Sequence, residues 1–350
     1  MAMFDSLELI RELIAPFGPP GEEGAIREVT AARMRALGYA PETDAKGNLF
    51  VTVNADKPGP AVLVTAHLDE IALMITQIEA DGTIRAAAYG GAYPWKWGEG
   101  PMTILARPEP VPAVLSFGCI HTNSERSVVE FARHNPLSFD KSYLFTGLSG
   151  AELAKAGVRP GLRVVLAESR RVVTTIGAFI ASYFLDDRAD LAVMLLALEA
   201  LAQHGTEGLG PVTFAATTSE EVGAEGAQYL LRHRPADICV ALEIGPKTPE
   251  ADFPIDSQPT IWVRDGYAAM ESADGDLLAR CCHDLNQHPH WQYLSRGGSD
   301  ASCAAAKGFT ARPVTIGLPV ENSHGYEIMH RDAPHELVRL LLAYLHRCAV

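Results

Sequence analysis

Three stretches of this sequence are almost wholly apolar, and each leads into side chains able to bind a metal or move a proton. Residues 61–66 (AVLVTA) run into His67, residues 212–217 (VTFAAT) run towards Glu220 and Glu221, and residues 237–244 (DICVALEI) contain Glu243 near their end. Bounded by turn signals such as Pro58-Gly59-Pro60 and Gly210-Pro211, such runs read as strands buried on both faces. A sheet buried on both faces needs helices to cover it. Candidates recur at 5–17, where Leu7, Ile10, Leu13 and Ile14 keep helical spacing, and at 22–37, 191–202, 224–234, 277–286 and 334–346. The expected class is therefore α/β, and in such sheets ligands collect at the carboxyl ends of the strands.

The middle of the chain has a different texture. From about 73 to 172 it is dense in Gly and Pro, with short β-like runs at 102–106, 111–115 and 163–166. Regular turn signals between short strands predict a small β-rich domain. Because α/β texture stands on both sides, residues 1–72 and 173–350 are expected to form one discontinuous domain interrupted by 73–172. The length of 350 residues suits two domains.

Charge narrows the partners. Lys and Arg number 29 against 43 Asp and Glu, a formal net charge of -14. Nucleic-acid binding draws its affinity from Lys and Arg on phosphate, so no nucleic-acid partner is expected. An anionic membrane surface is disfavoured for the same reason. No charge-free apolar run reaches the ~20 residues of a membrane span. The first residues, MAMFDSLELIRELIAPFG, lack the basic start and continuous apolar stretch of a secretory signal. Six Cys with no C-x-x-C pair read as thiols in a reducing compartment, so a cytoplasmic location is expected.

Five segments carry candidate chemistry. In AHLDE (66–70), His67 ends a buried strand and Asp69 follows two residues later, where a carboxylate can fix an imidazole as a metal ligand. Alone, H-x-D is equally a strand-end turn with a satisfied histidine. In LDDRAD (185–190) the acids precede a helix, where they also serve as caps. In TTSEEVG (217–223), Glu220 and Glu221 stand side by side at a strand exit and repel unless a proton or cation intervenes. One acid on a metal and its neighbour as general base is a hydrolytic arrangement. Glu243 sits inside an apolar run, where an acid is costly unless paired or metal-bound. The segment HGYEIMHRD (324–332) offers two further histidines, His324 and His330, either of which could be a ligand. A set of histidines and carboxylates suits Zn²⁺ or Co²⁺ better than Mg²⁺. His283, His288 and His290 read as a helix end and a polar loop, the tryptophans as packing or rim residues. Asp300, after Gly297 and Gly298, reads as structural or pocket-lining.

The ordered set AHLDE, LDDRAD, TTSEEVGAEGA (217–227), ALEIG (241–245), GGSDASCAAAKG (297–308) and IMHRDAPHE (328–336) resembles metallopeptidase family 42, the glutamyl-aminopeptidase-like or tetrahedral aminopeptidase family. The resemblance spans the chain from first helix to last. It implies a mixed-sheet, zinc-peptidase-like α/β catalytic domain with an inserted, β-barrel-like dimerisation domain. It implies an aminopeptidase with two divalent ions, Zn²⁺ or Co²⁺, and peptide substrates. It also implies a dimer-based homo-oligomer that can extend to a dodecamer. Carried across, His67 binds one metal with Asp69 orienting it, Asp186 bridges both, and Glu220 is the general base. Glu221, Glu243 and His330 complete the ligands, with His324 as rival to His330. Two departures stand out: the family has Asp where this chain has Glu243, and an Arg-Tyr before the last histidine that is absent before His330. The alternatives are a related deacetylase or carboxypeptidase with the same metal set, and a metal-binding assembly protein without catalysis.

Overall fold

The apolar runs become parallel neighbours in the sheet. In the computed structural model, which describes residues 4–348, strands Val212–Thr217, Val62–His67, Ile238–Pro246 and Arg312–Glu321 lie side by side and all parallel. Every residue of Val62–His67 is buried, as is all of Ile238–Pro246 but its last residue. Antiparallel strands extend both sides, making an 11-stranded mixed sheet. Leu49–Val53 and Glu42–Thr43 lie beyond Val212–Thr217. Glu327–His330, Phe179–Ser182 and Thr174–Ile176 lie beyond Arg312–Glu321. Thr260–Arg264 and His290–Tyr293 form a branch on the same strand.

Side-chain alternation separates two cores. Val62, Val64, Ala66, Val240, Leu242 and Ile244 pack with helices Ser6–Ile14, Leu185–His204 and Ala333–Cys348. Leu63, Cys239 and Ala241 pack instead with Leu230, Leu231, Ala301 and Ala304, from helices Glu225–His233 and Asp300–Ala306. Since strand side chains repeat every second residue, His67 belongs to the row of Leu63 and Glu243 to the row of Cys239 and Ala241. Both stand where apolar packing gives way to the carboxyl edge.

The sequence shows only a short strand at 314–316, yet Arg312–Glu321 runs for ten residues. Pro313, Gly317 and Pro319 break the apolar pattern that would have revealed it. Gly317 is required by close approach: it faces Glu243 across the ladder, and a Cβ would sit 1.8 Å from the Glu243 carbonyl oxygen.

By contact, residues 4–69, 173–323 and 327–348 form one unit, and residues 70–172 with 324–326 another. The second unit is a closed barrel of six antiparallel strands in the order Ala72–Ile78, Ile84–Tyr89, Tyr143–Phe145, Val111–Ser116, Gly100–Ile104, Arg163–Leu166. Val111, Ala113 and Leu115 point inward while Pro112 and Val114 are exposed, the alternation of a filled small barrel. Near the two ends of this insert, Arg171 grips Glu70 with two parallel hydrogen bonds of 2.7 and 2.6 Å, both side chains buried. Among the described residues no helix is long and apolar enough to cross a membrane.

Gly317→Ala should destabilise the protein by about 3 kcal/mol through overpacking and displace Glu243. Thermal unfolding checks the first effect, and an unchanged Tm would contradict the close approach.

Candidate metal centre

The carboxyl edge of the parallel strands gathers the expected acids around one histidine. His67 ends its strand, and its Nε2 lies 3.1 Å from Asp186 Oδ1. His67, Asp186, Asp187 and Glu243, all buried, offer ligand atoms that lie within 4.8 Å of one another. Asp186 and Asp187 have non-helical dihedrals within Leu185–His204, so these acids turn away from the helix that follows them.

Backbone amides hold the arrangement in place. Asp187 Oδ2 accepts the His67 backbone N–H at 2.6 Å. Glu327 Oε2 accepts the Asp186 N–H at 3.0 Å. The two oxygens of Asp69 accept the N–H groups of Glu220 and Glu221, at 2.8 and 3.0 Å. Asp69 also meets His67 directly. His67 Nδ1 is held at 3.0 Å by the Asp69 backbone carbonyl, whereas the nearest carboxylate oxygen is 3.5 Å away. The carbonyl accepts the Nδ1 hydrogen and so turns Nε2 towards the acids, where that nitrogen carries a proton or gives it up to a cation. The Asp69 carboxylate, besides facing the ring, fixes the turn bearing the adjacent glutamates. Ser219, just before them, adopts φ +56°. Asn48, fully buried, accepts the Thr218 N–H at 3.0 Å and donates to the Gly226 carbonyl at 3.0 Å.

Electrostatics set the need for a cation. Burial alone would pull the His67 imidazolium down, but Asp187, Asp186 and Asp69 outweigh it and hold its pKa well above the usual value. Glu220 is pushed well up, chiefly by burial and then by Asp300, Glu221 and Asp69, against the opposing pull of His67. Burial, with Glu220, Asp186 and Asp187, raises Glu243 likewise. Asp187 rises through burial and Asp190, and burial pushes Asp190 to about 8. Among the described residues, Asp187 Oδ1 is buried with no hydrogen-bond partner. Crowded carboxylates around an imidazole form a donor set for a divalent ion, which replaces protons that the acids otherwise retain.

The last histidine departs from the sequence expectation. His330 does not join this group. It ends strand Glu327–His330 opposite Phe179, whose ring meets it edge-on at 5.5 Å, and its Nδ1 accepts the Asp332 N–H at 3.3 Å. A neighbouring strand and turn thus occupy the side chain that the shifted motif singled out. His324 has φ +60°, and its Nδ1 lies 3.0 Å from the Gly91 carbonyl oxygen. A Cβ on Gly91 would fall 2.4 Å from that nitrogen. This contact leaves Nε2 as the nitrogen with the lone pair.

Sequence reasoning passed over Asp187, Glu327 and Asn48 as positioning groups. The first two lay in segments already singled out for acids. Asn48 carried only a turn signal, Gly47-Asn48 before a strand, and its partners are 170 residues or more away.

The model of the M42 glutamyl aminopeptidase family matches residues 47–340. The glutamyl aminopeptidase of Lactococcus lactis subsp. cremoris is 27% identical over 336 residues, 93% of this chain and 91% of that protein. The lysyl aminopeptidase of Pyrococcus furiosus is 24% identical over 245 residues, 68% of this chain and 66% of that one. Among solved structures, the Pyrococcus horikoshii TET1 peptidase, described as assembling into a tetrahedron or a large octahedral shell, superposes with a TM-score of 0.85. It is 23% identical and covers 97% of this chain and 99% of its own. The chain belongs to the M42 glutamyl aminopeptidase family, and it is a peptide hydrolase of the aminopeptidase type.

Proposed function

We propose that this aminopeptidase holds two divalent ions, with Zn²⁺ as the native metal. His67, Asp186 and Glu243 hold the first, and Asp186 and Glu221, closed by a histidine of the 324–330 segment, hold the second. The observation that carries the reading is the buried group of His67, Asp186, Asp187 and Glu243, whose negative charge calls for a cation. The extra methylene of Glu243 extends the reach of a strand that Gly317 lets pack closely. For the second ion, His324 is preferred to His330. Its ring nitrogen is oriented by a carbonyl as metal-binding histidines are, whereas the His330 ring packs on Phe179.

Bound ions supply Lewis acidity, polarising the scissile carbonyl and acidifying a water. The side chains do the rest. Glu220 accepts the proton of the attacking water and returns it to the departing amine. Its carboxylate is suited to both tasks because burial and neighbouring acids raise its proton affinity. Asp69 keeps Glu220 and Glu221 at fixed spacing through their amides, so base and ligand are aimed together. Asp187 holds the His67 backbone rather than serving as a ligand.

Peptides with an unblocked N-terminus are the proposed substrates, cleaved in the cytoplasm by a dimer-based homo-oligomer with a tetrahedral dodecamer as its full form. Six cysteines without a disulfide support a reducing location. The solved TET1 relative, itself an assembly, supports the oligomer, and the barrel is the unit we assign to dimerisation.

Glu220→Gln should lower kcat by about a thousandfold with metal content unchanged; activity on aminoacyl-nitroanilides near that of the wild type would refute the base. His324→Ala should lose one ion per chain, whereas His330→Ala keeps both, as read by elemental analysis; the opposite pattern would restore His330. Stability of the metal-free protein should depend on pH in a particular direction. Asp190 titrates near 8 and Asp300 near 6 when folded, both above the ~3.9 of an unfolded aspartate. The folded state therefore retains protons that the unfolded chain has released, and stability falls as pH rises. From about pH 5.5 to about pH 8 the Tm of chelated protein should drop, and Zn²⁺ should reduce the drop. A flat profile in chelator would contradict the buried-acid account.

A further inference from the structure

Asp300 is the buried acid of the GGSDA segment that the mechanism above leaves unused. It opens helix Asp300–Ala306, where an acid ordinarily complements the helix end. Here that explanation is insufficient. Ser299 already caps the helix through a reciprocal capping box with Ser302, and Asp300 is only 2% exposed. The preceding loop is built for close approach. Gly297 has φ +79°, and a Cβ on Gly298 would lie 2.4 Å from the Tyr267 ring. The carboxylate turns to the sheet, where Oδ2 accepts the Thr217 hydroxyl at 2.6 Å, and Thr217 is itself fully buried.

Thr217 is a junction in the site. It is the last residue of Val212–Thr217 and pairs in register with His67. Its carbonyl accepts the Leu68 N–H at 2.7 Å. Three residues later the chain reaches Glu220. Tying Thr217 therefore fixes the departure of the base-bearing turn from the same strand that lines up His67.

We propose that Asp300 is a positioning residue for hydrolysis, acting through the Thr217 hydroxyl to hold the end of the strand from which Glu220 and Glu221 project. The inference rests on the roles assigned above to Glu220 and Glu221. It explains why a carboxylate is buried beside others despite the cost of removing it from water. The Asp300 oxygen is the acceptor in the contact, and an amide oxygen can occupy the same place. Asp300→Asn should therefore preserve the tie, while Asp300→Ala and Thr217→Val each remove it.

The test uses Zn²⁺-loaded protein and a double-mutant cycle. Asp300→Ala and Thr217→Val should each lower kcat by about tenfold, since misplacing a catalytic group weakens the chemical step, with KM nearly unchanged. The double variant should be no worse than either, and Asp300→Asn should regain nearly all activity. Hydrogen exchange of the 217–221 amides, measured in parallel, should quicken in Asp300→Ala and Thr217→Val but not in Asp300→Asn. Additive losses, wild-type kcat in Thr217→Val, or Asp300→Asn as poor as Asp300→Ala would overturn the proposal. Should Asp300→Ala fail to fold, Thr217→Val and Asp300→Asn decide the matter. A wild-type enzyme no more active than Glu220→Gln would instead refute the assigned base, and amide exchange would still report whether the tie exists.

Discussion

Repulsion among buried carboxylates at one edge of the sheet is the constraint around which the rest of this molecule is arranged. Asp69, Asp186, Asp187 and Glu243 are all buried about His67, with Asp190 and Asp300 buried nearby. In a medium of low polarity each negative charge is costly by itself and raises the proton affinity of the next. A protein can tolerate this by keeping the acids protonated or by placing cations among them. Protonation leaves an inert cluster, whereas divalent ions turn the same cluster into a hydrolytic site.

The fold supplies the site with two kinds of acid. In the proposed site some are offered to the metals: Asp186, Glu221 and Glu243. Others hold backbone amides: Asp187 on His67, Asp69 on Glu220 and Glu221, Glu327 on Asp186. Amide-bound carboxylates fix the main chain beneath the ligands, so the donors do not have to be ordered anew when ions bind. Parallel pairing makes this economical, because adjacent strands bring His67, Thr217 and Glu243 to one edge without a long connection between them.

The sequence shows most of this where one residue type has one physical meaning. An apolar run ending in His67 or containing Glu243 reads both as a buried strand and as a functional strand end. The Gly- and Pro-rich stretch after residue 73 reads as short strands because turns punctuate it, and it forms a closed barrel. Legibility failed where meaning depends on distant partners. Asp69 reads as a partner for His67 because the two are close in sequence, and nothing in that spacing shows that its carboxylate also reaches amides 151 and 152 residues away. Within the segment holding His324 and His330, spacing gives no sign of which ring packs on Phe179 and which is oriented by a carbonyl. Arg312–Glu321 was hidden by Gly and Pro that close packing demands.

The central claim is that two divalent ions share Asp186 as a common ligand. Calorimetric titration of Zn²⁺ into chelated, refolded protein tests it most directly, with Asp186→Asn as the comparison. The wild type should bind two ions per chain, and the variant should lose tight binding of both. A single ion per wild-type chain, or a variant that keeps one tight site, would contradict it.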